Sequence, residues 1–308
     1  MTKLEWCRAN APDTIKSLDD DELLDLMSGA YERFCNDKET IDPEELESVE
    51  YNPVNSQMDY MVLELVREFG DNLTFKGGYM LTKLMPDTAR QTTDVDFSIQ
   101  NSALYQQLLK SMERIGEHFK SIGECSSYKI KQEITPTMSG GMDIYDEYGR
   151  KFLGIDVDMH DITYGTVTTS IDICDLRAFE VERMLADKVS AILSRKRFRR
   201  PKDLYDLYCI TNCFNFDANK VNEYILYRTQ GAGADWQNFP FNEVVEREYK
   251  HAYNSLKVDS IRQGVKLEHV EFDLAYKRFN TIARRLQHVD GLFLWDNERS
   301  MFCTRIGR

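Results

Sequence analysis

A chain of 308 residues, 42% of them hydrophobic and 30% charged, can bury a substantial core in one large or two ordinary domains, which excludes a disordered polymer. Its net charge of -13 excludes a generic nucleic-acid coat, because phosphate backbones are bound by positive surface. No apolar run is long enough for a membrane span, the N-terminus lacks a signal-peptide core, and seven scattered cysteines fit reduced thiols better than a disulfide framework, so a cytoplasmic protein is expected.

The charge is unevenly spread, with 16 acidic and 5 basic side chains in residues 1–60 against 2 acidic and 8 basic in residues 181–202. The acidic segment, taken as residues 1–70, reads as a helical region packed on the core that follows. DDDELLDLMSGAYERF and SQMDYMVLELVREFG both space apolar residues as amphipathic helices do, and IDPEELESVEYNPVN between them reads as a short helix and a loop. A short strand (LTF), the pair Gly77-Gly78, a brief helix around YMLTKLM and the strand DVDFSI come next, followed by an amphipathic helix over 101–121. From about 127 to 174 the pattern is β: SYKIKQEI, MDIYDEY and KFLGIDVDM alternate or are β-branched, and Tyr148-Gly149-Arg150 is placed to turn the last two into a hairpin. After Glu180 helical spacing returns and is expected nearly to the end. The expected fold class is α+β, a mixed sheet with flanking helices over 71–178 and a helical C-terminal lobe over 179–308.

Chemistry concentrates first in TFKGGYMLTKLMPDTARQTTDVDFSI. Side chains alternate along a strand, so Asp94 and Asp96 point the same way and offer two hard oxygen ligands to a divalent cation such as Mg²⁺. Gly77 and Gly78, between a strand end and a helix, let the backbone approach a phosphate and aim helix N–H groups at it. A glycine pair and an Asp-x-Asp are each weak motifs, and either alone reads equally as a turn or a solvated strand edge. A third carboxylate is expected from a neighbouring strand, and GIDVDMHD supplies Asp156 and Asp158 on one face; Asp156 is preferred, and Asp158 stays open. His160 and Asp161 read as a strand terminus, since no second histidine stands at ligand spacing.

The second unusual stretch is EVERMLADKVSAILSRKRFRRPKDLYDLYCI. Met184, Leu185, Ala191 and Ile192 lie three and four residues on either side of Lys188, so the lysine projects from an apolar stripe. It reads either as a snorkelling side chain or as a point charge for a triphosphate. Pro201 suits the first turn of the next helix, and Asp203 and Asp206 one turn apart point at Lys188 or at a substrate hydroxyl. Arg195, Lys196, Arg197, Arg199 and Arg200 form a basic run that fits a polyphosphate, an RNA backbone or plain solvent. Cys209 and Cys213, one turn apart without a second ligand pair, read as packing rather than zinc ligands.

Together FKGGYMLTKL, TTDVDFSI and ERMLADKVSAILSRKRFRRPKDLYDL resemble the nucleotidyl transferase toxins of the AbiEii/AbiGii family, within the DNA polymerase β-like nucleotidyltransferase superfamily. The resemblance covers about residues 70–210 and implies a nucleotidyltransferase-like sheet. It implies that Gly77 and Gly78 cradle the nucleotide phosphates, that Asp94 and Asp96 bind Mg²⁺ or Mn²⁺, that Lys188 contacts the triphosphate, and that Asp203, with Asp206, completes the distal catalytic motif. Beside these, Lys76, Tyr79 and Arg195 are expected near the nucleotide and Asp156 as the third metal and catalytic carboxylate. Tyr79 departs from the Ser or Thr that often follows the glycines, so one phosphate contact from a hydroxyl is missing. The implied activity is transfer of a nucleoside monophosphate from an NTP to an RNA, notably the tRNA 3′ end, or to a protein. The implied setting is a toxin-antitoxin or abortive-infection system, with a separately encoded antitoxin that has a DNA-binding domain and with no membrane partner. A non-catalytic nucleotide- or RNA-binding module on the same fold, or another phosphoryl transferase, would keep the same scaffold.

Overall fold

The computed structural model describes residues 3–11, 18–24, 27, 55–90, 92–131, 140–159, 164–193, 201–229, 243–262, 270–287 and 292–304. Arg195 and the rest of the basic run, with His160 and Asp161, lie outside the described residues. The chain divides into two compact units. One comprises residues 52–185 with 213–216, and the other comprises 186–212, 217–308 and the residues before 52, among them helix α1 (Lys3–Asn10).

The first unit is built on a seven-stranded sheet: β1 (Leu73–Lys76), β2 (Asp94–Ile99), β3 (Ser127–Lys131), β4 (Gly140–Tyr145), β5 (Lys151–Asp158), β6 (Thr166–Ser170) and β7 (Asp175–Phe179). Their order is β3-β4-β5-β2-β1-β7-β6, with β2 parallel to β5 and β1 parallel to β7, while the remaining neighbours run antiparallel. The expected hairpin forms, since β4 and β5 pair antiparallel across a turn in which Gly149 takes φ +74°. Helices α2 (Asn55–Phe69), α3 (Gly77–Leu84) and α4 (Tyr105–Ser121) belong to the same unit, so α2 goes with the sheet and not with the acidic segment before it.

Alternation sorts the sheet into two chemically different faces. Leu73, Phe75, Val95, Phe97, Ile99, Ile155 and Val157 are all buried on one face, and the Phe75 and Phe97 rings meet at 5.5 Å. Helix α2 packs on β2, and α4 on β3 and β4. Burying each such aromatic stabilises by roughly 1.5–3 kcal/mol, which fixes strand register because a one-residue slip would turn the apolar set outward. Gly116 of α4 has Tyr128 of β3 where a Cβ would stand, 2.6 Å from its Cγ, so the ring lies flat on the helix. The opposite face carries Asp94, Asp96, Asp143, Asp156 and Asp158.

The other unit is mainly helical: α5 (Val181–Leu193, from Ala186 onward), α6 (Pro201–Cys213), α7 (Ala218–Thr229), α8 (Glu243–Arg262) and α9 (Phe272–Gln287). Helix α9 buries Phe272, Ala275, Tyr276, Phe279, Ile282, Ala283 and Leu286, a stripe at three- and four-residue spacing. Helical spacing stops at Gln287, and an antiparallel hairpin of Phe293–Asp296 and Met301–Thr304 follows where the sequence suggested more helix. Aromatic and β-branched residues favour strands there, and the buried Trp295 indole donates to the Thr211 carbonyl at 2.7 Å. Cys209 is buried as expected, and none of the described cysteines is paired in a disulfide.

Candidate active site

The parallel register sets Asp96 beside Asp156, Asp94 beside Gly154 and Ser98 beside Asp158. Side-by-side residues of neighbouring strands share a face, so Asp94, Asp96 and Asp156 look out from the same side of the sheet. Asp158 shares it too, but both of its oxygens are engaged: the Lys76 ammonium donates to Oδ2, and the Ser98 hydroxyl donates to Oδ1 at 2.5 Å. Lys76 also lies 5.6 Å from the Phe179 ring centroid. Asp156 is in register with Asp96 and accepts from Lys131 at 3.1 Å, so both candidates carry an ammonium partner.

Helix α3 begins at Gly77 itself, directly from β1, rather than after an intervening turn. Gly77 has φ +69°, and a Cβ built on it would come 2.1 Å from Asp96 Oδ2. Both facts require glycine, and together they press the helix N-terminus against the carboxylate of the Asp-x-Asp strand. At Gly78 a Cβ would meet Thr92 Oγ1 at 2.7 Å, just ahead of Asp94. The N-cap residue Lys76 makes no side-chain hydrogen bond to the first turn of α3.

The Tyr79 side chain is committed elsewhere. Its ring is buried, and its hydroxyl donates to Asp59 Oδ1 of α2 at 2.8 Å. Burial, and then the bond to Asp59, push its pKa far above the ordinary tyrosine value. Lys83 reinforces the contact, lying 2.9 Å from Asp59 and 2.9 Å from Asp172. Of Tyr79, the backbone amide is what α3 can offer to an anion.

Two lysines and one aspartate that the sequence reading passed over join the same polar face. Lys151 Nζ lies 2.8 Å from Asp94 Oδ1 and 2.8 Å from Asp143 Oδ1, while Lys131 Nζ lies 3.0 Å from Asp143 Oδ1 and 3.1 Å from Asp156 Oδ1. Burial works against the Lys151 ammonium, yet Asp94 and Asp143 outweigh it and hold its pKa above the usual lysine range. Lys131 is raised in the same way by Asp143 and Asp156. For Asp143, burial alone would favour the neutral acid, but Lys151 and Lys131 prevail and hold it below the usual carboxylate value. The hairpin register sets Asp143 beside Gly154, so alternation in MDIYDEY and KFLGIDVD carried the signal that could have found it.

Among the described residues, no group of three or more His, Cys, Asp or Glu side chains is drawn together as a metal cage. The donors nevertheless fit one. Asp94, Asp96 and Asp156 offer hard oxygen donors on one face, and ammonium groups already sit on two of them. Asp94 Oδ1 is closed off from solvent and accepts no hydrogen bond of good geometry; Lys151 meets it as charge rather than as a well-directed donor.

In the helical unit, Lys188 of α5 sits between two carboxylates of α6, 2.7 Å from Asp203 Oδ1 and 2.7 Å from Asp206 Oδ2. Both aspartates are buried, and the lysine nearly so. Of the two expected targets of Asp203 and Asp206, the structure has them on Lys188. The apolar stripe around Lys188 is real as well, with Met184, Leu185 and Ile192 all buried.

A family model described as nucleotidyl transferase AbiEii toxin, type IV toxin-antitoxin system, matches residues 64–285. Among solved structures, the chain is similar to MenT4, a nucleotidyltransferase toxin from Mycobacterium tuberculosis, at 15% identity and a TM-score of 0.43, covering 77% of this chain and 91% of that one. It is also similar to JHP933 from Helicobacter pylori at 12% identity and a TM-score of 0.38, covering 72% of this chain and 97% of that one. No curated protein sequence matches the chain.

Proposed function

The chain belongs to the nucleotidyl transferase AbiEii toxin family, and from that premise we propose that it transfers a nucleoside monophosphate from an NTP to a hydroxyl of an RNA acceptor, with tRNA first among the candidates. The observation that carries this reading is the packing of Gly77 on Asp96, which sets a helix N-terminus beside a carboxylate pair. A phosphate held by the amides of Gly77, Gly78 and Tyr79 would then lie next to Asp94 and Asp96.

In the reaction, an acceptor oxygen forms a bond to the α-phosphorus, and the bond from phosphorus to the α–β bridging oxygen breaks. Pyrophosphate leaves with that electron pair, and the proton of the attacking hydroxyl passes to a carboxylate, for which Asp156 is the candidate. Mg²⁺ or Mn²⁺ held by Asp94, Asp96 and Asp156 would neutralise charge on the transferring phosphate. Lys76 is the cationic contact assigned to the polyphosphate on the sheet unit; on the helical unit Lys188 and Arg195 keep their expected role as phosphate contacts, with Asp203 and Asp206 holding Lys188 in place. An antitoxin with a DNA-binding domain and a cytoplasmic setting complete the reading; among the described residues no helix is long and apolar enough to cross a membrane.

The test is incubation of the full chain with each α-labelled NTP, Mg²⁺ and total cellular RNA, followed by sizing of the labelled species. Label on tRNA-sized RNA with release of pyrophosphate is expected, and it should vanish with Asp94→Ala and Asp96→Ala while both variants stay folded. Full activity in both variants rejects the site. Label on protein would move the acceptor from RNA to protein, and release of a nucleoside diphosphate would indicate a kinase-like transfer instead.

A further inference from the structure

Gly154 and Lys151 form an arrangement on the polar face for which the proposed reaction has no role. A Cβ at Gly154 would stand 2.7 Å from Asp94 Oδ1 and 2.9 Å from both Cε and Nζ of Lys151. The absent side chain is thus what opens a path for Lys151 to fold over its own strand and reach Asp94. Its ammonium then lies 2.8 Å from Asp94 Oδ1 and, by the same distance, from Asp143 Oδ1.

Asp143 Oδ1 faces Lys131 as well, at 3.0 Å, and Lys131 in turn lies 3.1 Å from Asp156. One carboxylate therefore screens two ammonium groups from each other, and each ammonium covers one of the carboxylates assigned to the metal. The Lys151 side chain is 35% exposed and sits on a flexible four-carbon stem, so it can let go of Asp94 without disturbing the core. Asp143 would keep it tethered beside the site after it does.

The geometry points to Lys151 as the resident counter-cation of Asp94. It holds the carboxylate in the free protein, competes there with a divalent cation, and passes to the polyphosphate of an arriving nucleotide, so that metal and nucleotide bind together. This rests on the reading of Asp94 as a metal ligand. An ammonium and a divalent cation repel each other and cannot both take Asp94 Oδ1 at contact distance, whereas a polyphosphate supplies the negative charge that draws the lysine away. The coupling is reciprocal: a nucleotide that removes Lys151 must tighten metal binding, and metal must tighten nucleotide binding by the same factor.

Mn²⁺ binding to the full chain, measured by electron paramagnetic resonance, tests this without any turnover. Lys151→Met should bind Mn²⁺ about tenfold more tightly than the wild type in the absence of nucleotide, while Lys151→Arg, which keeps the cation, should stay close to the wild type. A non-hydrolysable NTP analogue should raise Mn²⁺ affinity strongly in the wild type and much less in Lys151→Met. Circular dichroism on both variants confirms that they are folded, and Lys151→Gln serves as a second neutral variant. Unchanged or weaker Mn²⁺ binding in both neutral variants overturns the counter-cation role, as does equal tightening in Lys151→Arg. Adding Asp94→Asn to Lys151→Met separates the two ideas. If it abolishes Mn²⁺ binding in a chain where Lys151→Met alone changed nothing, the metal reading stands and the inference fails; if it leaves Mn²⁺ binding intact, both fail.

Discussion

Lys188 lies between Asp203 and Asp206 with 13% of its side chain exposed and 2% of each carboxylate, whereas Lys151 contacts Asp94 and Asp143 at 35%, 26% and 15%. The residue types and contact distances are nearly the same in the two regions. What differs is water. A buried lysine held by two buried carboxylates leaves strongly uncompensated charge when one member is removed, so the helical trio is tied to the stability of its own unit. A half-open pair on a sheet face is screened, contributes little to stability and can exchange one cation for another. The sheet face is accordingly where exchange of a cation for metal or nucleotide is cheapest, and the helical trio is where a fixed charge is best kept.

The sharpest way to break this contrast is Asp96→Asn. The substitution keeps shape and removes one charge from the sheet face, so NMP transfer should fall by about a thousandfold, the equivalent of several kcal/mol of transition-state stabilisation. Its unfolding free energy should move by less than about 1 kcal/mol. A large loss of stability in urea titration would show that the sheet-face carboxylates are structural after all. Lys188→Met makes the opposite case: the helical unit should lose about 3–5 kcal/mol, because two carboxylates are left buried without their ammonium. Retained stability in that variant would erase the distinction.

The glycine at the start of α3 sharpens the comparison from the sheet side. Gly77→Ala forces a side chain into φ +69° and into the space of Asp96 Oδ2. The backbone strain should cost about 1–2 kcal/mol, but the carboxylate must also shift, so activity should fall further than the stability loss accounts for. Equal losses in urea titration and in labelled-nucleotide transfer would mean that the glycine serves the fold alone.

The sequence made the local geometry of this site readable because strand alternation has a short, strict period. Counting twos pairs Asp94 with Asp96 on one strand and Asp156 with Asp158 on another, and the parallel pairing of β2 with β5 brings the two pairs onto one face, with Asp96 beside Asp156. Lys188 stands out in the sequence by its place in an apolar stripe, and its partners by their spacing one turn apart on the next helix. Lys131 and Lys151 are not legible in the sequence, because each stands at a strand end and nothing local in the chain tells that Gly154 leaves room for a lysine to cross; Asp143 is legible only through the alternation of its hairpin. The C-terminal hairpin was missed for a different reason: two four-residue strands are too short to show a period beside a sixteen-residue helix. The partners of Asp158, Ser98 on the adjacent strand and Lys76 on the strand beyond it, likewise come from tertiary pairing and are not legible locally.

The smallest expected effect concerns Tyr79, and it separates folding from chemistry on helix α3. Tyr79→Phe removes the hydroxyl from Asp59 while keeping the buried ring, so about 1 kcal/mol of stability should be lost. NMP transfer should persist, because the backbone amide is unchanged. The alkaline limb of stability gives a second reading. Burial, with the bond to Asp59 next, raises the folded pKa of Tyr79 above the ordinary 10.0, so the folded chain keeps this proton where the unfolded chain releases it. The stabilisation is therefore complete below pH 10 and declines as pH climbs from there toward the higher folded value. In Tyr79→Phe that part of the decline should be absent, and urea midpoints of variant and wild type should converge above pH 10. Midpoints that stay parallel across this range would mean that the hydroxyl is not the proton held by the fold, and a loss of transfer in a stable Tyr79→Phe chain would place the side chain itself in the nucleotide site.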